Sequence, residues 1–426
     1  MGLRTPTALL AGLLVLAACQ TGPSTASGDD TGSVDDGTTI TMWTRAPTAT
    51  FSQTLIDAYN ASHKNKVELT VFPADSYQQK VGTAAGAKQL PDVLAADVVY
   101  APNYASKGVY LDLTARVNTL PFKDTLAPAH MKTATHDGKN YGVPHDIDLS
   151  AVFYNKVLFT RAGLDPEKPP TTMAEMVDYA EKISALGDVS GYFFGGACPG
   201  CQLFTSWPMI WASGGEVLNE EGTASTIDNS TAAQVYGLLR KMYADGVVPP
   251  AAKNESGPTW TELFGQGKIG IQPMGATGLQ GIEEGPNLQV GVAPIPGLNG
   301  GSSSFVGGDV LGISSNSQHA AAAWDFISWT LSEDAQVEVI AKSKNITVRS
   351  DLADNTYAKQ DPRLGVFNKL ASEGQTPISV NFGKTYNDPN GPWTATVIDA
   401  VFGTADPATA LREHNSAITE SLSSGG

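Results

Sequence analysis

The strongest constraint on this chain is the regular alternation of strand and helix patterns that begins at Thr39. The first five patterns are strand, helix, strand, helix and strand, at residues 39–43, 51–59, 67–72, 77–87 and 93–96. In the first helix Phe51, Leu55 and Tyr59 lie four apart on one face, and Thr50 is expected to be the N-cap. Strands separated by helices pair in parallel, so the sequence predicts an α/β lobe.

The alternation resumes after residue 144, which predicts a second α/β lobe with additional helices. A strand is expected at 151–154, a helix from Asn155 to a Gly163 C-cap, and a capping box at Thr172–Glu175. Further helices are expected at 206–213, 231–244, 319–330, 332–341, 362–372, 393–402 and 407–422, and further strands at 268–272, 289–295 and 310–314. No repeat of 20–50 residues is present, which excludes a solenoid or propeller.

The N-terminus has the pattern of an export signal. Arg4 precedes an apolar run from Ala8 to Ala18, which is shorter than the roughly 20 residues that span a bilayer. The run ends at Cys19, in a context that resembles a bacterial lipobox. Residues 20–38 are mostly Gly, Ser, Thr and Asp, a composition that favours a flexible tether. We therefore predict a signal peptide at 1–18 and a lipidated tether at 19–38.

The charge balance limits the class of ligand. With 27 basic and 43 acidic residues, the formal net charge is −16, which disfavours nucleic acid and anionic lipid. No later stretch is apolar enough to span a membrane, so the lipid on Cys19 is the only expected membrane attachment. After removal of the signal, the length allows two or three domains of roughly 150 residues each.

The usual motifs of catalysis and cofactor binding are missing from the sequence. The six histidines lack zinc-ligand spacing, and neither a dinucleotide-binding glycine motif nor a P-loop occurs. There is also no G-x-S-x-G nucleophile elbow. We therefore expect no metal, no cofactor and no enzymatic activity.

Cys198 and Cys201 form the single C-x-x-C pair. In an exported protein a structural disulfide is favoured over redox chemistry. A thioredoxin-type motif also needs its first cysteine at a helix N-terminus, whereas Gly195 and Gly196 predict a loop here.

Two carboxylates, Asp146 and Asp148, lie between short strand patterns. They fit either the acid and base of a glycosidase or a ligand-binding carboxylate at a crossing between lobes, because carboxylates accept strong hydrogen bonds from hydroxyl groups. Trp43 ends the first strand, where open α/β sheets bind ligands, although core packing is the alternative for each tryptophan.

A family resemblance runs from about residue 39 to 422. It is carried by motifs in a fixed order: Leu90 to Asp97, Asp137 to Pro144, Val152 to Lys156, Phe264 to Gly270, Ala293 to Pro296, Phe305 to Asp309, Ala323 to Ile327 and Ser332 to Gln336. In this order the chain resembles the sugar-binding lipoproteins of bacterial ABC importers, which are relatives of maltose-binding protein.

The resemblance implies a two-lobe periplasmic-binding-protein-like fold of type II, with a hinged cleft between the lobes. The chain would cross between lobes near 145–150, 306–310 and 346–349. The implied segments are 39–147 with 310–347 for lobe one, and 148–309 with 348–426 for lobe two.

The resemblance also implies which residues contact the ligand. By matched position these are Trp43, Arg45, Asp75, Ser76, Gln78, Asp97, Asp148, Phe204, Trp207, Gly308, Asp309, Arg349 and Trp393. The family's Gly-x-Trp is Gly275-Ala276-Thr277 here, so the sugar is expected to be shorter or Trp260 to replace the missing ring.

The implied function is a monomeric receptor outside the cytoplasm that captures a mono- or oligosaccharide and delivers it to a permease. One alternative is a polyol, an amino-sugar or a glycerophosphodiester on the same scaffold, and Arg45 with Arg349 in the cleft would favour an anionic group. The others are an extracellular glycosidase and a secreted redox protein that uses the cysteine pair.

Overall fold

The fold is that of a computed structural model, which describes residues 1–2 and 31–424 but not the side chain of Asp75. The predicted lipidation site Cys19 lies outside these residues.

The described chain contains mixed strands and helices in the predicted alternation. The strands are β1 (Thr39–Arg45), β2 (Lys66–Phe72), β3 (Val93–Asp97), β4 (Thr135–His136), β5 (Lys139–Asn140), β6 (Val143–Asn155), β7 (Ser190–Tyr192), β8 (Ile269–Gly275), β9 (Val290–Ala293), β10 (Ile295–Pro296), β11 (Ser302–Ser303) and β12 (Val306–Ile313). The α-helices are α1 (Ala49–Ser62), α2 (Ala74–Ala87), α3 (Ala101–Ser106), α4 (Thr114–Asn118), α5 (Pro128–Thr133), α6 (Lys156–Arg161), α7 (Met173–Ser184), α8 (Pro199–Trp211), α9 (Ser230–Ala244), α10 (Glu262–Gly265), α11 (Gly278–Gly281), α12 (Ala320–Thr330), α13 (Pro362–Glu373), α14 (Pro392–Val397) and α15 (Pro407–Ser423).

The first half of the sheet has the strand order β2, β1, β3, β12 and β6. β1 pairs in parallel with both β2 and β3, as the strand–helix alternation predicts. β12 is antiparallel to β3 and to β6. Although it comes from a distant part of the chain, it lies between these two strands and joins them in one sheet. The core strand β3 is buried at Val93 to Ala96, as expected for a strand covered on both faces.

The long strand β6 joins the two halves of the sheet. Its residues from Val143 to Leu149 pair with β12, and those from Ser150 to Tyr154 pair with β8. β7 pairs in parallel with β8, and β9 adds to the same region of β6. The sequence predicted separate pieces at 151–154 and 310–314, but β6 and β12 both extend into the predicted crossings. The lobe boundaries themselves stay a prediction.

The helix starts predicted at Thr50 and at residue 206 are wrong, whereas the capping box predicted at Thr172 is correct. Thr50 lies inside α1, which begins at Ala49 with Thr48 as its N-cap. The predicted helix at 206–213 begins much earlier, at Pro199, because Cys198 supplies the N-cap by accepting a hydrogen bond from the Cys201 amide. Thr172 does cap α7, by accepting from the amide of Glu175 at 3.1 Å.

The predicted tether is held to the first half of the sheet at its C-terminal end. The buried side chain of Asn65 accepts hydrogen bonds from the amides of Asp36, Gly37 and Thr38 at 3.0–3.1 Å. The amide of Val34 donates to Ala321 at 3.3 Å. Residues 34–38 are therefore docked, and the predicted flexibility does not extend to them.

Candidate functional site

A buried charge cluster forms where β1, β3 and β12 meet. The Arg45 guanidinium donates to one Asp309 oxygen from Nε at 2.9 Å and from Nη2 at 2.5 Å, and Nη2 lies 3.3 Å from Asp97. The Thr48 hydroxyl donates to the other Asp309 oxygen at 3.0 Å. Asp309 is completely buried, so Arg45 is its obligatory charge partner.

Burial and charge oppose each other in this cluster. Burial lowers the pKa of Arg45, but attraction to Asp309 and Asp97 outweighs it, and the net effect is a raised pKa. Burial raises the pKa of Asp97 despite the nearby guanidinium. The pKa of Asp146 is also well above its usual value, because of burial and then the charge of Asp309. Arg45 stays charged and is shared among carboxylates.

The pairing of β12 with β6 links this cluster to a second one. Gly307 lies opposite Asp148, Gly308 opposite Ile147, and Asp309 opposite Asp146. Gly308 has a φ of +108°, and a Cβ there would lie 2.2 Å from the Asp146 carbonyl oxygen. Only glycine can adopt this backbone conformation so close to the Asp146 carbonyl oxygen. Gly308 therefore contributes to the crossing by allowing β12 and β6 to lie close together, and not through a side chain.

The second cluster is a pocket of about 410 Å³ beside Asp148. Its walls are aromatic, aliphatic, polar and glycine residues: Asp148, Trp260, Thr261, Glu262, Gly265, Met274, Gly275, Thr277, Gly278, Gly281 and Ile282. This volume is in the range of small-molecule sites. The structure thus places Trp260 in one pocket with Asp148 and with the Gly275–Thr277 loop.

Asp148 is the half-buried carboxylate of this pocket. It accepts a hydrogen bond from the Thr277 amide at 3.1 Å. A Cβ at Gly275 would lie 2.3 Å from one carboxylate oxygen, so the glycine gives the carboxylate its room. Burial raises the pKa of Asp148 to about 6, although the Thr277 amide and the charge of Arg45 act in the opposite direction. At neutral pH the group is an anion with unused hydrogen-bond acceptor capacity.

Phe204 and the cysteine pair support the same region from α8. The Phe204 ring lies 5.4 Å from that of Phe305, and a Cβ at Gly307 would be 3.0 Å from it. The structure joins Cys198 and Cys201 in a disulfide. Gly257, with a φ of +120°, passes over this disulfide in the loop that leads to Trp260. The loop predicted at Gly195 and Gly196 is present, but it leads directly into α8, and Cys198 is the N-cap of that helix. The expectation that Cys198 would not lie at a helix N-terminus is therefore wrong.

Three predicted ligand residues are placed in structural roles instead. Trp207 and Trp393 are completely buried, and their ring centroids lie 5.5 Å apart in an aromatic core with Tyr386. Arg349 pairs with Asp351 at 2.5 Å and stacks on Phe122 at 3.9 Å. Packing or ion pairing already occupies these three side chains, so we do not retain them among the proposed ligand contacts.

The remaining predicted contacts lie near the carboxyl ends of the first strands. Trp43 is half-buried against Phe72, with ring centroids 4.8 Å apart. Ser76 is exposed, and Gln78 accepts a hydrogen bond from Tyr104. Asp75 is a predicted contact whose side chain is not described. These positions are not among the residues that line the Asp148 pocket.

Sequence reasoning missed Glu262, Met274, Thr277 and Ile282, which line the pocket. They come from separate segments, and no local motif marks them. Sequence reasoning also missed two buried histidines beside the charge cluster. Nε2 of His130 donates a hydrogen bond to the Asp146 carbonyl oxygen at 2.9 Å, and Nε2 of His145 forms a hydrogen bond with the Ser52 hydroxyl at 2.8 Å. Burial lowers the pKa of each histidine to about 4.

A larger groove of about 830 Å³ lies elsewhere, between α5 and the segments around 216–220 and 375–378. None of the predicted ligand residues lines it. Over residues 1–2 and 31–424, no cluster of three or more His, Cys, Asp or Glu side chains is arranged to hold a metal ion. In the same part of the chain, no helix combines the length and apolarity of a membrane span.

Two α/β halves joined by crossing strands, with a pocket beside the crossing, define a two-lobe binding protein. Residues 54–366 match the family described as "Bacterial extracellular solute-binding protein", and the chain belongs to this family. Its members are binding proteins that act outside the cytoplasm.

Relatives in sequence and structure agree with this class. The chain is 26% identical to the diacetylchitobiose binding protein DasA of Streptomyces coelicolor, over 95% of each chain. It is 24% identical to the galactooligosaccharide-binding protein of Bacillus subtilis, over 93% of this chain and 92% of the relative. A solute-binding protein of Thermotoga lettingae, solved with α-D-tagatose bound, superposes with a TM-score of 0.79 at 22% identity, covering 90% of this chain and 100% of that one.

Proposed function

We propose that this protein is the receptor of an ABC importer and binds a mono- or oligosaccharide between its lobes. The observation that carries the proposal is the Asp148 pocket, which is lined by a half-buried carboxylate and by the half-buried side chain of Trp260. A carboxylate accepts hydrogen bonds from sugar hydroxyls, and an indole face packs against a pyranose ring. Similarity to binding proteins for diacetylchitobiose and galactooligosaccharides supports the same ligand class.

The ligand contacts that we retain are divided between the two halves of the sheet. Asp148, Trp260 and Phe204 would contact the sugar from the second half of the sheet. Trp43, Asp75, Ser76, Gln78 and Asp97 would approach it from the first half when the lobes close. In this proposal Arg45, Gly308 and Asp309 shape the crossing that serves as the hinge.

The proposal includes attachment to the membrane through a lipid on Cys19. A lipidated N-terminus would keep a monomeric receptor close to its permease and raise its local concentration there. The docked segment 34–38 would leave residues 20–33 as the connection between lipid and lobe. Mass spectrometry of membrane-extracted protein tests this attachment, and a mature chain that carries no diacylglycerol at Cys19 contradicts it.

A thermal-shift screen of mono- and oligosaccharides tests the function. A ligand present at 100 times its dissociation constant adds about 2.7 kcal/mol to the free energy of unfolding. We expect a stabilising sugar to be recovered unchanged after incubation, because binding involves no chemistry. Hydrolysis of the sugar would favour the glycosidase alternative.

The substitution Asp148→Ala tests the pocket. We expect at least a tenfold loss of affinity by calorimetry for the sugar found in the screen, because bound hydroxyls lose a charged acceptor. Asp228→Ala, at an exposed aspartate outside the pocket, is the matched control and should bind normally. Unchanged affinity in the Asp148 variant would remove this pocket from the site.

The redox alternative makes a separate forecast. If the disulfide only supports the loop that carries Trp260, the native protein should show no thiol–disulfide exchange activity. The double variant Cys198→Ser, Cys201→Ser should then keep the ligand specificity of the native protein. Thiol–disulfide exchange with a dithiol substrate, present in the native protein and lost in this variant, would favour that alternative.

A further inference from the structure

The Asp148 pocket carries negative charge and no positive charge among its described lining residues. Asp148 and Glu262 are its ionisable side chains, and no lysine, arginine or histidine lines it. Glu262 is exposed at the rim, whereas Asp148 is half-buried on the wall. An anionic ligand group would therefore meet two carboxylates without a counter-charge.

The arginines that could have received an anion are engaged elsewhere. Arg45 is bound to Asp309 and lies 3.3 Å from Asp97, so it already faces two carboxylates. Arg349 is paired with Asp351 and stacked on Phe122. An anionic solute such as a glycerophosphodiester would have to displace one of these pairs.

Asp148 itself is an anion without an ion-pair partner among the described residues. The Thr277 amide donates to the carboxylate at 3.1 Å, and the Thr277 hydroxyl and the Ala276 amide also stabilise it. No lysine or arginine nitrogen of the described residues lies within ion-pair distance of the carboxylate. A half-buried carboxylate loses hydration, and burial accordingly raises the pKa of this group. A ligand cation would compensate that loss better than a neutral hydroxyl. Both donate a charge-assisted hydrogen bond to the carboxylate, but only the cation adds a charge–charge attraction, which is stronger at a half-buried site than in water.

We propose that the Asp148 pocket recognises the protonated amino group of a basic amino sugar, with its ring against Trp260. This inference rests on the proposed sugar-receptor function and narrows its substrate class. The ammonium group would donate to the Asp148 carboxylate. The apolar side chains of Met274 and Ile282 complete the wall for the ring carbons. Neutral sugars would bind more weakly, and phosphorylated sugars would be rejected.

Matched sugar series test the proposal. Each series contains a 2-amino-2-deoxy sugar, its parent sugar and the parent's 6-phosphate, in gluco, galacto and manno forms and as mono- and disaccharides. Calorimetry at pH 7 should give at least tenfold tighter binding of one amino sugar than of its parent, and no binding of the phosphates. The preference should weaken as sodium chloride is added, because the interaction is between charges.

The variant Asp148→Asn keeps the shape of the side chain and removes its charge. We expect it to weaken binding of the amino sugar more than binding of the parent sugar, so that the amino-sugar preference is lost. The matched control Asp228→Asn should keep that preference, and thermal unfolding checks that both variants fold.

The failures of the two proposals are distinguishable. Equal binding of amino and parent sugars, or a preference that survives in Asp148→Asn, overturns the amino-sugar proposal and leaves the sugar-receptor function standing. If no member of any series binds, both proposals fall.

Discussion

Individual tryptophans in this protein illustrate how one residue type divides between packing and binding. Trp207 is completely buried among aromatic rings. Trp260 is half-buried and lines the Asp148 pocket. Because the surroundings differ, the same substitution should damage different properties at the two positions.

We expect Trp207→Ala to lower the free energy of unfolding by about 3–5 kcal/mol, the usual cost of a large cavity. Trp260→Ala should change stability much less and should weaken sugar binding at least tenfold. Urea unfolding and calorimetry measure the two effects. Native affinity in Trp260→Ala would contradict the role proposed for its ring.

Among the secondary-structure elements, β6 has three ionisable side chains close together at the crossing. It presents His145, Asp146 and Asp148 within four residues and forms the crossing between the two halves of the sheet. His145 is buried beside Ser52, and Asp309 and His130 are its charged or titratable neighbours. Burial favours neutral histidine, so protonation of this element is coupled to unfolding.

The pKa of His145 is about 4 in the folded protein and about 6.5 in the unfolded chain. Between these values the unfolded chain binds more protons, so stability is lost as the pH falls through this window. Raised carboxylate pKa values at Asp146 and Asp148 act in the opposite direction, so a variant must isolate the histidine. His145→Gln keeps a polar partner for Ser52.

We expect the loss of unfolding free energy between pH 7 and pH 4.5 to be smaller in His145→Gln by about 2–3 kcal/mol. Urea unfolding at the two pH values measures this difference. Equal pH dependence in the native and variant proteins would mean that His145 does not titrate with unfolding.

At the scale of the whole molecule, shared strands connect the two α/β halves. β12 pairs with both β3 and β6, and β6 continues into pairing with β8 and β9. Loss of either half would therefore expose strand edges and buried residues of the other. The Arg45–Asp309 pair stabilises the first half beside this junction, because breaking the pair leaves a buried charge.

We therefore expect a single cooperative thermal transition for the residues of both halves. The calorimetric and van't Hoff enthalpies should agree, and tryptophan fluorescence and circular dichroism should give the same midpoint. Two separable transitions would show that the halves are independent folding units.

Local patterns in the sequence were sufficient to predict the class of fold and the types of residue at the candidate site. The alternation of strands and helices predicted the α/β architecture, because side-chain periodicity follows backbone geometry directly. The order of motifs identified the family to which the chain belongs. Asp148 and Trp260 were both selected from the sequence, and the structure places them in one pocket.

The roles of individual side chains and the composition of the pocket wall depend on packing and charge pairing between distant segments. Local sequence could not distinguish the core position of Trp207 from a ligand platform, or reveal that Phe122 would lie against the Arg349 guanidinium. Nor could it place Glu262 and Thr277 beside Asp148, since that depends on how three segments fold together. Burial, ion pairing and pocket shape are properties of contacts made across the chain, so they exist only once the tertiary structure has formed.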